Sequence, residues 1–384
     1  MKIVIKGTNN VNKGAELMFC AICQELEKRF PKSTVYISEI STLSPYNSNN
    51  LNIYSRNNRT LIKFISRFHI AGVLRRIGIN IKKINQSDYS PQDADIYFNA
   101  GGYAVGDTWN HNKRSNSNLD FFLRTIKKRG TKIIFLPQAF GPFKKKSSKD
   151  AIKTIVKYAD LIYAREKNSF NYIHEACGDV TNVKIAPDFT PLIKGKLPQE
   201  LAEYYNSIII IPNKRMLMEK NVEIEDYINL IKCIIPYSEK LNKKIVILNH
   251  EGRTDFDICC DINKAFNNQF KVVSGLTALE TKGFISTAYA VVSSRFHGTA
   301  SCLSSAVPCI SSSWNQKYEM LYSDYGLSNM IVELKDKNDV SNKIKQILDL
   351  QNNSNYRQIL KERVMIIKEK NKQMWNEIYK MYEE

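Results

Sequence analysis

The chain has 384 residues, 43% of them hydrophobic and 24% charged, with a formal net charge of +18. This length and balance describe a soluble globular protein of about two domains with sizeable cores. They exclude a membrane-spanning helix, since no stretch approaches ~18 continuous apolar residues. Eight cysteines are scattered, and the close groupings Cys20-Ala21-Ile22-Cys23 and Cys259-Cys260 have no second pair at zinc-ligand spacing. Reduced, mostly buried thiols and no metal are therefore expected. Basic clusters at Arg75-Arg76, Lys82-Lys83, Lys127-Lys128-Arg129 and Lys144-Lys145-Lys146 suit a phosphate-bearing substrate or an anionic membrane surface. No nucleic-acid motif accompanies them, so no nucleic-acid partner is expected. The chain starts directly on the strand-like Lys2-Ile3-Val4-Ile5, so no signal peptide and a cytoplasmic location are expected.

In chain order, Lys2–Ile5 reads as a parallel strand, followed by the Gly- and Asn-rich loop Gly7–Ala15 and a helix from about Glu16 to Arg29. Such a loop delivers a helix N-terminus to the strand's carboxyl end and favours anions, although its glycine spacing is neither a Walker nor a dinucleotide fingerprint. Thr34–Glu39 is the next strand. An Asn-, Ser- and Arg-rich stretch from 43 to about 90 contains an apolar patch at Leu61–Leu74, which reads as a helix packed on the sheet or a basic amphipathic helix on a membrane. Asp95–Ala100 is a strand ending in Gly101-Gly102, where the backbone can approach a ligand closely. Lys132–Leu136 runs into Pro137-Gln138-Ala139-Phe140-Gly141-Pro142, and Leu161–Ala164 exits through Arg165-Glu166-Lys167. Pro191–Leu201 reads as a linker. Ser207–Ile211, ending in Pro212-Asn213-Lys214-Arg215, starts a second sheet, continued by Lys244–Leu248 with its exit Asn249-His250-Glu251-Gly252. The strand-helix alternation throughout argues α/β architecture with two doubly wound parallel sheets, and Lys337–Leu350 and Asn355–Tyr382 are the longest helices expected after Trp314.

The stretch Val291–Ala300 carries the chemistry in this reading. Ala290-Val291-Val292 ends a buried strand, and if the chain stays extended, Ser293, Arg295 and His297 share one face. A cation and a proton donor then point the same way. Gly298 takes the turn, and Thr299 caps a short helix over Ala300–Ala306 whose N-terminus favours an anion. Spacing alone is equally compatible with a structural reading, in which Arg295 pairs with a carboxylate and His297 is a buried histidine.

These strand-end motifs in this order resemble the polysaccharide pyruvyl transferase family. The pieces are the Gly7–Ala15 loop, Asn99-Ala100-Gly101-Gly102, Pro137–Pro142, Arg165–Ser169, Pro187-Asp188, and Ser293–Gly298 with Ala300 and Pro308. The first loop departs from the more usual acidic version, having Lys13-Gly14-Ala15-Glu16. The resemblance implies two Rossmann-like domains facing across a cleft in the glycosyltransferase B-type architecture, residues 1–195 on the acceptor side and 205–384 on the donor side. It implies phosphoenolpyruvate as donor and a hexose-containing glycan as acceptor, free or lipid-linked, with a cyclic ketal as product and no cofactor. The family's Arg-x-His motif falls on Arg295 and His297, the expected catalytic pair. A further basic residue at the donor is either Arg165 or Arg215. Ser293, Gly298, Thr299, Asn9, Gly14, Gly101, Gly102 and Gln138 complete the expected substrate contacts. Imidazole titrates nearest neutral pH and suits the proton delivery that an enol phosphate needs, and a guanidinium suits phosphate or carboxylate. The alternatives are a nucleotide-sugar glycosyltransferase of the same architecture and a non-catalytic basic binding protein.

Overall fold

The computed structural model describes residues 1–8, 12–37, 46, 50–55, 93–313, 317–327 and 330–382. The Leu61–Leu74 patch and the Arg75-Arg76 and Lys82-Lys83 clusters lie outside them. The chain forms two parallel-sheet α/β units. One comprises Met1–Asn10, Met18–Phe189 and Asn371–Glu384, and the other Val11–Leu17 and Thr190–Lys370.

In the first unit β1 (Lys2–Lys6) is followed by α1 (Lys13–Arg29), β2 (Thr34–Ile37), β3 (Asn52–Ser55), β4 (Ile96–Asn99) and β5 (Tyr103–Val105). Then come α2 (Lys113–Lys128), β6 (Lys132–Phe140), α3 (Lys146–Tyr158), β7 (Leu161–Ala164), α4 (Lys167–Cys177) and β8 (Val183–Ile185). The sheet runs β3-β2-β1-β4-β6-β7-β8, with β5 paired to the end of β6. Order reverses between β1 and β4, the switch point at which open α/β sheets leave a crevice beyond their carboxyl ends. Val4, Tyr97, Phe135 and Ile162 pack against Leu123 and Ile126 of α2, Ile152 and Ile155 of α3 and Ile173 of α4.

The second unit contains β9 (Ile208–Ile211), α5 (Lys214–Glu219), α6 (Ile224–Leu241), β10 (Ile245–Leu248), α7 (Gly252–Lys264), β11 (Lys271–Val273) and α8 (Ala278–Ser286). It continues with β12 (Ala290–Ser293), α9 (Phe296–Ser304), β13 (Cys309–Ser311), α10 (Lys317–Asp324), α11 (Lys337–Leu348) and α12 (Leu350–Lys380). The strand order β11-β10-β9-β12-β13 places its switch point between β9 and β12. Ile208 and Ile210 face α6, α7 and α11, while Ile209 and Ile211 face Phe284, Ile285 and Cys302. A strand of four isoleucines is what burial on both faces of a parallel sheet demands.

Several expectations change. α1 begins three residues before Glu16, because Asn12 caps it: its Oδ1 accepts the N–H groups of Gly14 at 2.9 Å and Ala15 at 3.1 Å. β3, β5 and α5 were not anticipated. A boundary at 195–205 gives way to a division after Phe189, with two segments exchanged. The first turn of α1 goes with the second unit, where the Glu16 carboxylate accepts the Ala278 N–H that opens α8. The last turns of α12 go with the first unit, where Trp375 meets Phe98 and Phe189 edge-on at 6.0 Å each. The supposed linker is packed structure: Ile193 and Leu201 are buried, Lys196 N–H donates to Leu279, and the buried Lys282 ammonium donates to the Thr190 carbonyl. Gly195 and Gly283 are there because backbone crosses backbone, and a Cβ on either overlaps main-chain atoms of the other segment. Gly283→Ala is therefore expected to destabilise the protein by about 1–3 kcal/mol, the usual cost of overpacking, measured by urea unfolding. An unchanged midpoint would show that the crossing is loose.

Candidate functional site

In the second unit, the exits of β9, β10 and β12 converge at the switch point. β12 stops at Ser293 because the next residue is consumed by a buried polar network. Ser294 N–H donates to Ile211 at 2.8 Å, and its hydroxyl shares hydrogen bonds with Tyr227 at 2.7 Å and Ser312 at 2.6 Å. Its carbonyl accepts from the Asn213 amide and the Tyr318 hydroxyl, each at 2.8 Å. Burial pushes the Tyr227 phenol up to about 12, so it remains a neutral donor. Asn213 joins this network to the start of α5, accepting the Arg215 N–H at 3.0 Å.

Arg295 is consequently the N-cap of α9, with φ −109° and ψ 125°, and the helix begins at Phe296, not at Ala300. This corrects the extended reading of Ser293, Arg295 and His297 on one face: His297 lies in the first turn of α9. Ser293 and Thr299, expected as substrate contacts, are buried and bind the turn. The Ser293 hydroxyl accepts from Arg295 N–H and donates to its carbonyl. Thr299 donates to the same carbonyl and shares a hydrogen bond with Ser311 at 2.7 Å. Gly298 admits no side chain, since a Cβ there lies 2.7 Å from the Ser293 hydroxyl and 3.5 Å from the His250 ring.

Gly14 faces His297 directly: a Cβ on Gly14 overlaps the imidazole. The first turns of α1 and α9 thus meet at this ring, and both present the positive end of a helix dipole. Beside Gly14, Lys13 pairs with Glu16 at 3.1 Å.

The Arg295 guanidinium is held by two acidic residues that sequence reasoning missed. Its Nε donates to Asp255 at 2.6 Å, a terminal nitrogen lies 2.5 Å from the same carboxylate, and the other donates to Glu251 at 2.9 Å. Asp255 also accepts the Lys214 N–H at 3.1 Å. Burial raises both carboxyls above their ordinary range, and the Arg295 charge opposes the rise. Among the described residues, these contacts engage three of the five guanidinium N–H groups. His250 was noticed only as a strand exit. It is 3% exposed, its Nδ1 has no hydrogen-bond partner among the described residues, and its pKa lies well below 6.5 through burial, then the charges of His297, Arg295 and Lys13. A clue was present in the sequence: His250, Glu251 and Asp255 straddle the exit of β10.

Arg215 belongs to this unit, on α5, where it pairs with Glu219 at 2.7 Å. Arg165 belongs to the first unit and pairs with Glu166 at 3.4 Å. The first unit also holds Gly101, Gly102 and Gln138. The backbones of Gly7 and Gly101 approach so closely that a Cβ on Gly7 lies 2.5 Å from the Gly101 Cα. Gln138 donates to Asn99 at 3.2 Å, while its buried Oε1 and the buried Thr8 hydroxyl have no hydrogen-bond partner among the described residues. Asn9 lies outside the described residues.

Two doubly wound parallel units define the glycosyltransferase B-type architecture. UDP-GlcNAc 2-epimerase from Neisseria meningitidis, solved bound to UDP-GlcNAc, shares the fold at 11% identity and a TM-score of 0.57, over 99% of this chain and 100% of that one. Anabaena HepE, solved with UDP and glucose, does so at 13% identity and a TM-score of 0.54, over 98% and 100%. The trehalose-6-phosphate synthase OtsA matches at 10% identity and a TM-score of 0.51, over 98% of each chain. No curated protein matches the sequence. Within this architecture, the chain belongs to the polysaccharide pyruvyl transferase family, which it matches over residues 12–316.

Because the folded-state pKa of His250 is lowered, its neutral form contributes stability that is present above its ordinary value of 6.5 and lost as pH falls toward the folded value. Melting temperatures at pH 7.5 and 5.5 are expected to differ more in the wild type than in His250→Gln. Equal differences would remove His250 from the acid response.

Proposed function

We propose that this family member transfers the pyruvyl group of phosphoenolpyruvate onto two hydroxyls of a hexose in a surface polysaccharide or its lipid-linked repeat unit. The observation that carries this is the placement of His297 against Gly14 and next to Arg295, at two meeting helix N-termini. An anion is stabilised there by the positive ends of the two helix dipoles, the Arg295 guanidinium and Lys13. His297 delivers a proton to the methylene carbon, making a methyl group. A sugar hydroxyl attacks the carbon bearing phosphate, the carbon–oxygen bond breaks, phosphate leaves, and the second hydroxyl closes the ketal. Of the two hydroxyl protons, one restores His297 and the other leaves on phosphate. The scheme draws on no metal or cofactor. It assigns Arg215, in the same unit, and not Arg165 as the additional donor cation, and the first unit's Gly101, Gly102 and Gln138 to the acceptor sugar.

A nucleotide-sugar donor is the other reading compatible with the fold. The buried Asp255 carboxylate beyond the exit of β10 is held by Arg295 and the Lys214 N–H, which argues against its holding a ribose. Incubation with phosphoenolpyruvate and a panel of hexosides is expected to release phosphate and add the mass of a ketal. Turnover of UDP-sugars without phosphoenolpyruvate would reverse the reading.

His297→Asn is expected to bind phosphoenolpyruvate nearly normally and lose turnover by about 100- to 10,000-fold. Arg295→Lys loses the fork, and donor affinity should fall by about 1.5–3 kcal/mol. Gly14→Ala should resemble His297→Asn, since its methyl displaces the ring. Stable variants with full ketal formation would exclude these residues from the mechanism.

Among the described residues no helix is long and apolar enough to cross a membrane. The net charge supports peripheral attachment to the inner face of an anionic membrane carrying the acceptor. Neutralising Arg75, Arg76, Lys82 and Lys83 should weaken sedimentation with anionic liposomes while leaving turnover on a soluble acceptor intact. Unchanged sedimentation would count against it.

A further inference from the structure

The two carboxylates that hold Arg295 are not equivalent. Asp255 is 0% exposed, sits in the first turn of α7, receives two guanidinium nitrogens on one oxygen and accepts the Lys214 N–H on the other. Removing it would leave buried donors unpaired, a large penalty. Glu251 is 21% exposed, precedes the helix as its N-cap without a capping hydrogen bond from its side chain, and meets Arg295 through one nitrogen. Of the two carboxylates it is the one that solvent reaches. The engaged nitrogen is also the one an incoming anion needs in order to use a terminal edge of the guanidinium.

We propose that Glu251 is a displaceable counter-ion of Arg295, exchanged for the carboxylate or phosphate of the anionic donor, whereas Asp255 is the fixed orienter of the guanidinium. This rests on the donor-site reading above. Donor affinity is then set by the exchange of one anion for another. Glu251 keeps Arg295 aimed and partly neutralised, and it discriminates against anions too weak to displace it.

The test is anion binding by calorimetry to wild type, Glu251→Gln and Asp255→Asn, with phosphoenolpyruvate, inorganic phosphate and pyruvate as separate probes. Glu251→Gln should bind at least one of these anions about fivefold more tightly than wild type, the worth of a partly exposed ion pair. It should melt within a degree or two of wild type. A gain with phosphate alone assigns the exchanged edge to the phosphate, and a gain with pyruvate assigns it to the carboxylate. Asp255→Asn should bind more weakly and melt lower. Weaker or unchanged binding of every probe by Glu251→Gln overturns the proposal, as does a melting loss matching that of Asp255→Asn. A gain for phosphate in a protein that never turns over phosphoenolpyruvate would refute the assigned reaction while upholding the exchange.

Discussion

The candidate site depends on one buried serine. Ser294 directs its N–H, hydroxyl and carbonyl to Ile211, Tyr227, Ser312, Asn213 and Tyr318, so the turn after β12 has a single geometry. A satisfied polar network in a low-dielectric core is rigid, because each broken bond exposes an unpaired group to a medium that cannot solvate it. The turn forces Arg295 into the N-cap position, and that places His297 in the helix's first turn, against Gly14. The proposed chemistry therefore falls on the side chains flanking Ser294, while Ser294 itself is buried in the network.

Topology supplies the second constraint. In both sheets the strand order reverses once, between β1 and β4 and between β9 and β12, and the glycines that admit close backbone approach lie at those reversals. Gly7 with Gly101 is a case in which two strand exits come so near that a methyl group would separate them, whereas Gly298 lets its own turn close on the Ser293 hydroxyl with the Ile211 side chain beside it. Such glycines are legible in a sequence as strand-end glycines. Which exit each one meets depends on strand order, which no local pattern records.

The same distinction explains what could be read beforehand. The fold class followed from apolar runs such as Ile208–Ile211 and from the strand-helix alternation, and the family followed from motifs at strand ends. The extension through His297 failed because alternation is a property of strands, and the strand ends where Ser294 turns into its network. The linker failed because Gly195, Pro198 and scattered charge look like a spacer, whereas Gly195 is a crossing point with Gly283. The second-unit membership of residues 11–17 was hidden because sequence separation conceals the bond from Ala278 to Glu16. The carboxylates on Arg295 were missed for a related reason: Glu251 and Asp255 lie about forty positions upstream, and although their place after a strand end marks them as site candidates, it does not pair them with a distant guanidinium.

Charge balance links this scaffold to catalysis. Lys13 faces Glu16, and Arg295 faces Glu251 and Asp255, so the cations around His297 are matched by carboxylates. His250 is kept neutral by burial and by the positive groups facing it. A cluster of bare cations there would repel itself and destabilise the fold. A fully neutralised cluster would not attract a multiply charged anion. Placing one permanent carboxylate beneath Arg295 and one more exposed carboxylate at its edge meets both requirements, because the guanidinium stays oriented throughout while its net charge changes with the partner at one side. In the proposed exchange, a donor anion that takes the place of Glu251 would lie next to His297, the proposed acid. Under that proposal, donor exchange and proton delivery share the same few ångströms of structure that Ser294 holds in place.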